Sequence, residues 1–380
     1  MTLRLLLVAG EASGDWLGAD LLEGLRRRFP DLQAQGVGGP RMAAQGQIQL
    51  CDGAPLAIIG LSEALRRLPR VLAIRRRLLA QLREQPPDLL ITIDLPDFNF
   101  SLARVARRLG IPVVHYVSPQ VWAWRRGRVR RIARLLDHLL VVLPFEPAIY
   151  AGTGLPVTFV GHPLVDRVRS RSDRATVRRE LEVADAAPLV ALLPGSRVGE
   201  WSRLLPIFLE AARLLEQRIT GVRFVLARAD SISDRQRQAL WPPGDHGRIL
   251  ERQGRTWDLV AAADVALVAS GTATLETALL GTPMVVAYRV GAFNYQVGKR
   301  LIDVPFIALP NLVAGRGLAP ERIQHQATPG RLAADLEHLL NDAEAAAAMR
   351  VGFAEVKRQL LPPAGGAAAV VAELLQHRLP

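Results

Sequence analysis

This sequence predicts an α/β fold of two doubly wound, Rossmann-like domains, and three observations carry that expectation. Short apolar runs of strand length recur along the chain, stretches of helical length separate them, and several runs end in a small-residue turn that opens the next helix. Such alternation implies parallel sheets with helices on both faces. The chain has 380 residues, enough for two domains with a core each.

In order, Leu3 to Val8 reads as a first buried strand. The apolar stretch to Ala9 is too short to span a membrane, and Glu11 and Asp15 stand where a signal peptide needs small residues. Leu61 to Leu79 interleaves Arg66, Arg67, Arg70, Arg75, Arg76 and Arg77 with leucines, a pattern that suits a helical face resting on anionic lipid headgroups. Strands follow at Leu89 to Ile93, Val113 to Val117 and Leu139 to Leu143. A second basic cluster, Arg125 to Arg134, comes directly after Trp122 and Trp124. Beyond residues 161–172 the pattern resumes with strands near Val190, Phe224, Ile249, Val265 and Val285 and a helix over Leu204 to Glu216. The expected domains are therefore 1–165 and 166–350, with a final segment, 351–380, whose last helix crosses back to the first domain.

Composition narrows the classes. The net charge of +12 rests on arginine, since Lys299 and Lys357 are the only lysines; it points to nucleic acid, anionic membrane or phosphorylated substrates. One cysteine, Cys51, excludes a disulfide framework and fits a reducing compartment, the cytoplasm. Nucleic acid is disfavoured, because the basic stretches are laced with leucine rather than stacking aromatics.

Two turns suggest the chemistry. Ser270-Gly271-Thr272-Ala273-Thr274-Leu275-Glu276 follows an apolar run and opens a helix, offering unpaired N–H groups and a positive dipole end to a phosphate. Glu276 lies where a carboxylate can accept from ribose hydroxyls. Leu193-Pro194-Gly195-Ser196-Arg197, with Glu200 beyond, supplies close backbone approach, a helix cap and a planar guanidinium fork for phosphate oxygens. Together they describe a diphosphate of a nucleotide sugar held from two sides. Neither turn is a P-loop or a complete dinucleotide fingerprint. No Asp-x-Asp or histidine cluster is present, so a site without metal or other cofactor is expected.

Open parallel sheets bind ligands at the carboxyl ends of their strands, so two facing sheets would make a cleft. The first domain offers three such loops: Ala9 to Asp15, Ile93 to Asn99 and His115 to Trp124. These loops, together with Gly38 to Met42, Leu193 to Arg197, Ser270 to Glu276 and Pro310-Asn311-Leu312-Val313-Ala314-Gly315-Arg316, resemble the lipid-A-disaccharide synthases, in that family's order from residue 9 to residue 316. The resemblance implies a GT-B glycosyltransferase that joins UDP-2,3-diacylglucosamine to 2,3-diacylglucosamine 1-phosphate, inverts the anomeric centre and releases UDP. It implies a cytoplasmic enzyme associated peripherally with the inner membrane, and it counts Asn311 and Arg316 among the donor-binding residues. Oligomeric state stays open, a homodimer included. Inverting transfer needs a base, and Asp94 is the first candidate, at a strand end after apolar residues that would raise its pKa; Glu11 and His115 are alternatives. Asp97 is expected to cap the loop. A UDP-sugar epimerase of the same fold and a non-catalytic UDP-sugar binder remain the rival readings.

Overall fold

The computed structural model describes residues 2–56, 61–122, 126–241, 249–291 and 304–376. It divides into two compact units, Met1–Pro163 with Leu360–Pro380, and Leu164–Gln359.

In the first unit the strands β1 (Arg4–Val8), β2 (Gln33–Val37), β3 (Ile48–Gln49), β4 (Leu89–Ile93), β5 (Val113–Tyr116), β6 (His138–Val141) and β7 (Val157–Phe159) form one parallel sheet in the order β3-β2-β1-β4-β5-β6-β7. The central strands are apolar throughout because helices cover both faces. Leu5, Leu6 and Leu7 on β1 and Leu90, Ile91 and Ile93 on β4 are fully buried, each worth about 1.5–3 kcal/mol relative to exposure. The order reverses between β1 and β4, which pair directly, Val8 against Thr92. At such a switch point the loops leave in opposite directions and open a crevice at the carboxyl ends. The loops carrying Glu11 and Asp94 are the two that leave there.

The second unit repeats the plan. Its strands are β8 (Leu189–Leu193), β9 (Arg223–Arg228), β10 (Ile249–Gln253), β11 (Val265–Ala269), β12 (Met284–Tyr288) and β13 (Glu321–Ile323), in the order β10-β9-β8-β11-β12-β13, all parallel. The switch point falls between β8 and β11, and the two phosphate-type turns leave from it.

Four strands escape the sequence reading. β2 and β13 are largely polar, β3 has only two residues, both exposed, and β7 only three, all half-buried. The helix expected from Leu204 begins earlier and spans Val198–Glu216, with Pro206 inside it. The return to the first unit comes after Gln359 rather than near residue 350, because Met349 and Phe353 are buried in the second unit's core. The helix Gly366–Gln376 then packs on Ala12–Arg28, with Val371 and Leu375 buried. Gly24 lets the two approach, since a Cβ there would stand 2.5 Å from the Ala368 Cβ.

The helix Leu61–Glu84 is two-faced. Ile74, Leu78 and Leu82 enter the core, while Leu68 and Leu72 stay 48% and 42% exposed beside exposed Arg70, Arg76 and Arg77. Of Arg66 and Arg67 only the backbone is described; Trp124 and Arg125 lie outside the described residues. No helix among the described residues is long and apolar enough to cross a membrane.

Candidate functional site

The second unit holds a cavity of about 700 Å³ at its switch point. Gly195, Ser196 and Arg197 after β8, and Ser270, Gly271, Thr272 and Glu276 after β11, all line it. The strand-turn-helix units place them. Gly195 has a φ of +116°, and a Cβ there would run into the Glu200 carboxylate. That carboxylate accepts from the N–H groups of Ser196 (2.9 Å) and Arg197 (3.3 Å) and so caps the helix. The backbone donors expected to meet phosphate at this turn are thus occupied, and the side chain of Arg197 is what the turn presents. Its guanidinium is 83% exposed and stands 3.8 Å from Glu200.

At the other turn the helix Thr272–Leu279 leaves the N–H groups of its first residues without intrahelical acceptors at the cavity wall. The Ser270 hydroxyl donates to the Ile307 carbonyl at 3.2 Å. Glu276 accepts from the Trp257 indole N–H at 3.1 Å through one oxygen. Burial raises its pKa, and the Trp257 hydrogen bond and the Arg167 charge partly oppose this.

Asn311 and Arg316 do not line this cavity. Asn311 is buried; its amide donates to Ala319 O and Glu321 and accepts from the N–H groups of Leu318 and Ala319. With both ends saturated, it can serve only as a positioning residue. Glu321 also accepts from the Ile307 and Ala308 N–H groups, so Asn311 braces the segment that receives the Ser270 hydroxyl. Arg316 pairs with Glu355 at 2.7 Å on the surface.

A third turn, Gly254-Arg255-Thr256 after β10, joins the cavity unforeseen, together with Trp257 and Asp258. Its small residue and helix start match the other two turns, but β10 is more than half polar and lacks the continuous apolar run that precedes them. Arg255 is held by Asp258 (3.0 Å) and by Glu180. Arg169 and Arg171 also line the cavity, and their guanidinium groups have no hydrogen-bond or ion-pair partner among the described residues.

In the first unit Asp94 directly follows β4 with a φ of +52°, and Leu95 comes next at +45°. Two successive side-chain-bearing residues in the left-handed region cost free energy unless the surroundings hold them. The hold comes from buried Asn99, whose amide donates to the Ile93 carbonyl (3.2 Å) and the Asp94 carbonyl (2.7 Å). Asp97, the expected loop cap, is instead an exposed partner of Arg128 at 2.9 Å. Burial raises the Asp94 pKa above its ordinary value, against the lowering effect of the Leu95 N–H.

Glu11 sits exposed at the N-cap of the helix Ala12–Arg28, on the neighbouring strand end. Gly10 brings that loop against the next, since a Cβ there would collide with Leu95 and Leu56. Asp15 explains two sequence motifs at once, accepting from the N–H groups of Gly39 (2.8 Å), Arg41 and Met42.

His115 is corrected as a candidate base. It is fully buried in β5, its Nδ1 lies 2.8 Å from the Thr92 hydroxyl, and its ring packs 5.0 Å from Phe100. Desolvation pushes its pKa down to about 3, so it stays neutral inside the sheet. Trp122 is likewise core, donating to buried Glu146. Among the described residues no group of three His, Cys, Asp or Glu is placed to hold a metal ion.

Comparison with known proteins adds what geometry cannot. The chain superposes on a putative UDP-N-acetylglucosamine 2-epimerase from Listeria monocytogenes with a TM-score of 0.62 at 13% identity, over 99% of this chain and 95% of that one. It superposes on the glycotransferase of kitacinnamycin with a TM-score of 0.62 at 17% identity, over 99% of each. At these identities the likeness is one of fold, the GT-B arrangement that glycosyltransferases and these epimerases share. A family model described as lipid-A-disaccharide synthetase matches residues 5–364. The lipid-A-disaccharide synthase of Syntrophus aciditrophicus is 45% identical over 97% of this chain and 96% of its own length. That of Alkalilimnicola ehrlichii is 46% identical over 97% of each. With motifs, fold and near-complete coverage in agreement, the chain belongs to the lipid-A-disaccharide synthase family of GT-B glycosyltransferases.

Proposed function

We propose that the enzyme transfers 2,3-diacylglucosamine from UDP-2,3-diacylglucosamine to 2,3-diacylglucosamine 1-phosphate, inverts the anomeric centre and releases UDP. The observation that carries this reading is the single cavity lined by the Gly195–Arg197 turn, the Ser270–Thr272 turn and Glu276. In the proposed mechanism Arg197 and the first-turn N–H groups of Thr272 and Ala273 take the charge that develops on the leaving diphosphate. Glu276, with one oxygen on Trp257, offers the other to the ribose hydroxyls. Asp94 removes the proton from the acceptor hydroxyl as it attacks the anomeric carbon. In this scheme no metal or other cofactor is needed, because arginine and a helix N-terminus neutralise the diphosphate.

The direct test is UDP release from UDP-2,3-diacylglucosamine with and without the monosaccharide phosphate, in excess EDTA. UDP should appear at full rate only when both substrates are present, and EDTA should not slow it. Release without acceptor would favour hydrolysis or epimer chemistry, and loss on chelation restored by magnesium would overturn the metal-free scheme.

The helix Leu61–Glu84 is the proposed docking face for anionic membrane, consistent with a peripheral enzyme acting on acylated substrates from the cytoplasmic side. Exposed Leu68 and Leu72 offer apolar area beside Arg70, Arg76 and Arg77. Arg75 is less available, since its Nε donates to the Ser101 hydroxyl at 3.1 Å. Replacing Arg70, Arg76 and Arg77 with glutamate should lower binding to anionic vesicles by about two orders of magnitude, with UDP affinity retained. Undiminished co-sedimentation would move the docking face elsewhere.

A further inference from the structure

We infer that the first unit carries a pocket for the phosphate monoester of the acceptor, formed by Arg104, Arg128 and Arg131 beside the Asp94 loop. This inference rests on the function proposed above. The hollow measures about 240 Å³ and lies between the helices Pro96–Arg108 and Val129–Ala133. Asp97, Ser101 and Arg104 recur at helical spacing and share one face of the first helix, and Arg128 and Arg131 stand three apart at the start of the second. All five line the hollow.

Charge is what marks this hollow. Several clustered arginines elsewhere in the protein are matched by carboxylates: Arg174 and Arg178 share Asp264, and Arg228 has Asp234 and Glu251, whereas Arg169 and Arg171 at the donor cavity are, like those of this hollow, without such partners among the described residues. Here three guanidinium groups face one carboxylate, Asp97, which pairs with Arg128 at 2.9 Å. The guanidinium groups of Arg104 and Arg131 have no hydrogen-bond or ion-pair partner among the described residues. Among the lining residues three positive charges less one negative leave a net charge of two, and Arg75, bonded to Ser101, adds a further positive charge at the rim. A phosphate monoester carries about −1.5 to −2 at neutral pH, whereas a phospholipid phosphodiester carries a single negative charge. Ser101 accepts from Arg75 Nε, which frees its own O–H to donate to a phosphate oxygen. Phe100, Ile132 and Leu135 complete the wall behind the exposed Arg104 and Arg131 side chains.

Position completes the argument. Pro96 lines the hollow and lies two residues after Asp94, so their Cα atoms are at most about 7 Å apart. The near rim of the hollow thus adjoins the Asp94 loop, and in the proposed pose the sugar lies along the helix Pro96–Arg108 with its phosphate on the arginines and a hydroxyl toward that loop.

The test uses the full-length Arg104→Ala/Arg131→Ala variant with detergent-dispersed acceptor, either bearing its 1-phosphate or lacking it. The parent enzyme should prefer the phosphorylated acceptor. In the variant that preference, as a ratio of kcat/KM values, should fall about ten- to a hundredfold, chiefly through acceptor KM, with UDP affinity retained as the check on folding. Calorimetric titration with glucosamine 1-phosphate reads the pocket without turnover, and binding should weaken in the variant to a similar degree. An unchanged ratio, or a parent indifferent to the phosphate, overturns the proposal. So does a variant that loses only its binding to anionic phospholipid vesicles, which would assign the hollow to membrane headgroups. If the parent transfers to neither acceptor, the proposed function fails instead, and the titration still decides whether the arginines hold a phosphate monoester.

Discussion

Replacing Asp94 with asparagine is expected to lower kcat by about two to four orders of magnitude and to leave UDP affinity unchanged. The substitution isolates the chemistry because asparagine also tolerates the left-handed backbone that Asp94 adopts at a φ of +52°. The Asn99 hydrogen bonds run to backbone carbonyls and survive the change. The parent enzyme should lose activity as pH falls, because the base works ionised. Burial raises the Asp94 pKa above its ordinary 3.8, so the acid limb of kcat/KM should lie above that value. The variant's residual activity should lack this limb. Near-parental kcat in Asp94→Asn together with an inactive Glu11→Gln would transfer the role to the neighbouring loop.

Arg197→Ala should lower kcat/KM by roughly thirty- to a thousandfold through loss of charge stabilisation at the leaving diphosphate. Thermal stability should hardly move, because the guanidinium is 83% exposed and its one ion pair among the described residues is a 3.8 Å contact with Glu200. Arg197→Lys should fall between, keeping the charge but losing the planar fork. Parental turnover with parental UDP affinity in the alanine variant would remove Arg197 from the donor site.

The features legible in the sequence were those with a local physical cause. An apolar strand that runs through a small-residue turn into a helix leaves a contiguous mark, and the turns at Gly195 and Ser270 and the loop at Asp94 all have it. Strands toward the rim of a sheet leave a fainter one: β2, next to the edge strand β3, reads Gln-Ala-Gln-Gly-Val, and little of it is distinctively apolar. Side-chain roles were hardest to read. Asn99 and Asp97 are both plausible caps by residue type. Only the left-handed turn at Asp94 and Leu95 brings two carbonyls within reach of the Asn99 amide. His115 was a candidate by chemistry alone, and full burial in β5 removes it. Asn311 belonged to a motif, but its four hydrogen bonds lie inside the fold. Its influence on the donor cavity passes through Glu321 and Ile307.

The helix Gly366–Gln376 has a consequence for biosynthesis. It packs on Ala12–Arg28, a helix made long before it. The whole of Leu164–Gln359 is translated in between, which at usual elongation rates takes roughly ten to forty seconds. Throughout that interval the nascent first unit has its complete sheet, but the helix surface around Gly24 waits uncovered. The second unit, continuous in sequence, can close its core while the first is still waiting. The N-terminal half therefore matures last, and a chain truncated near its end damages the unit that was begun first.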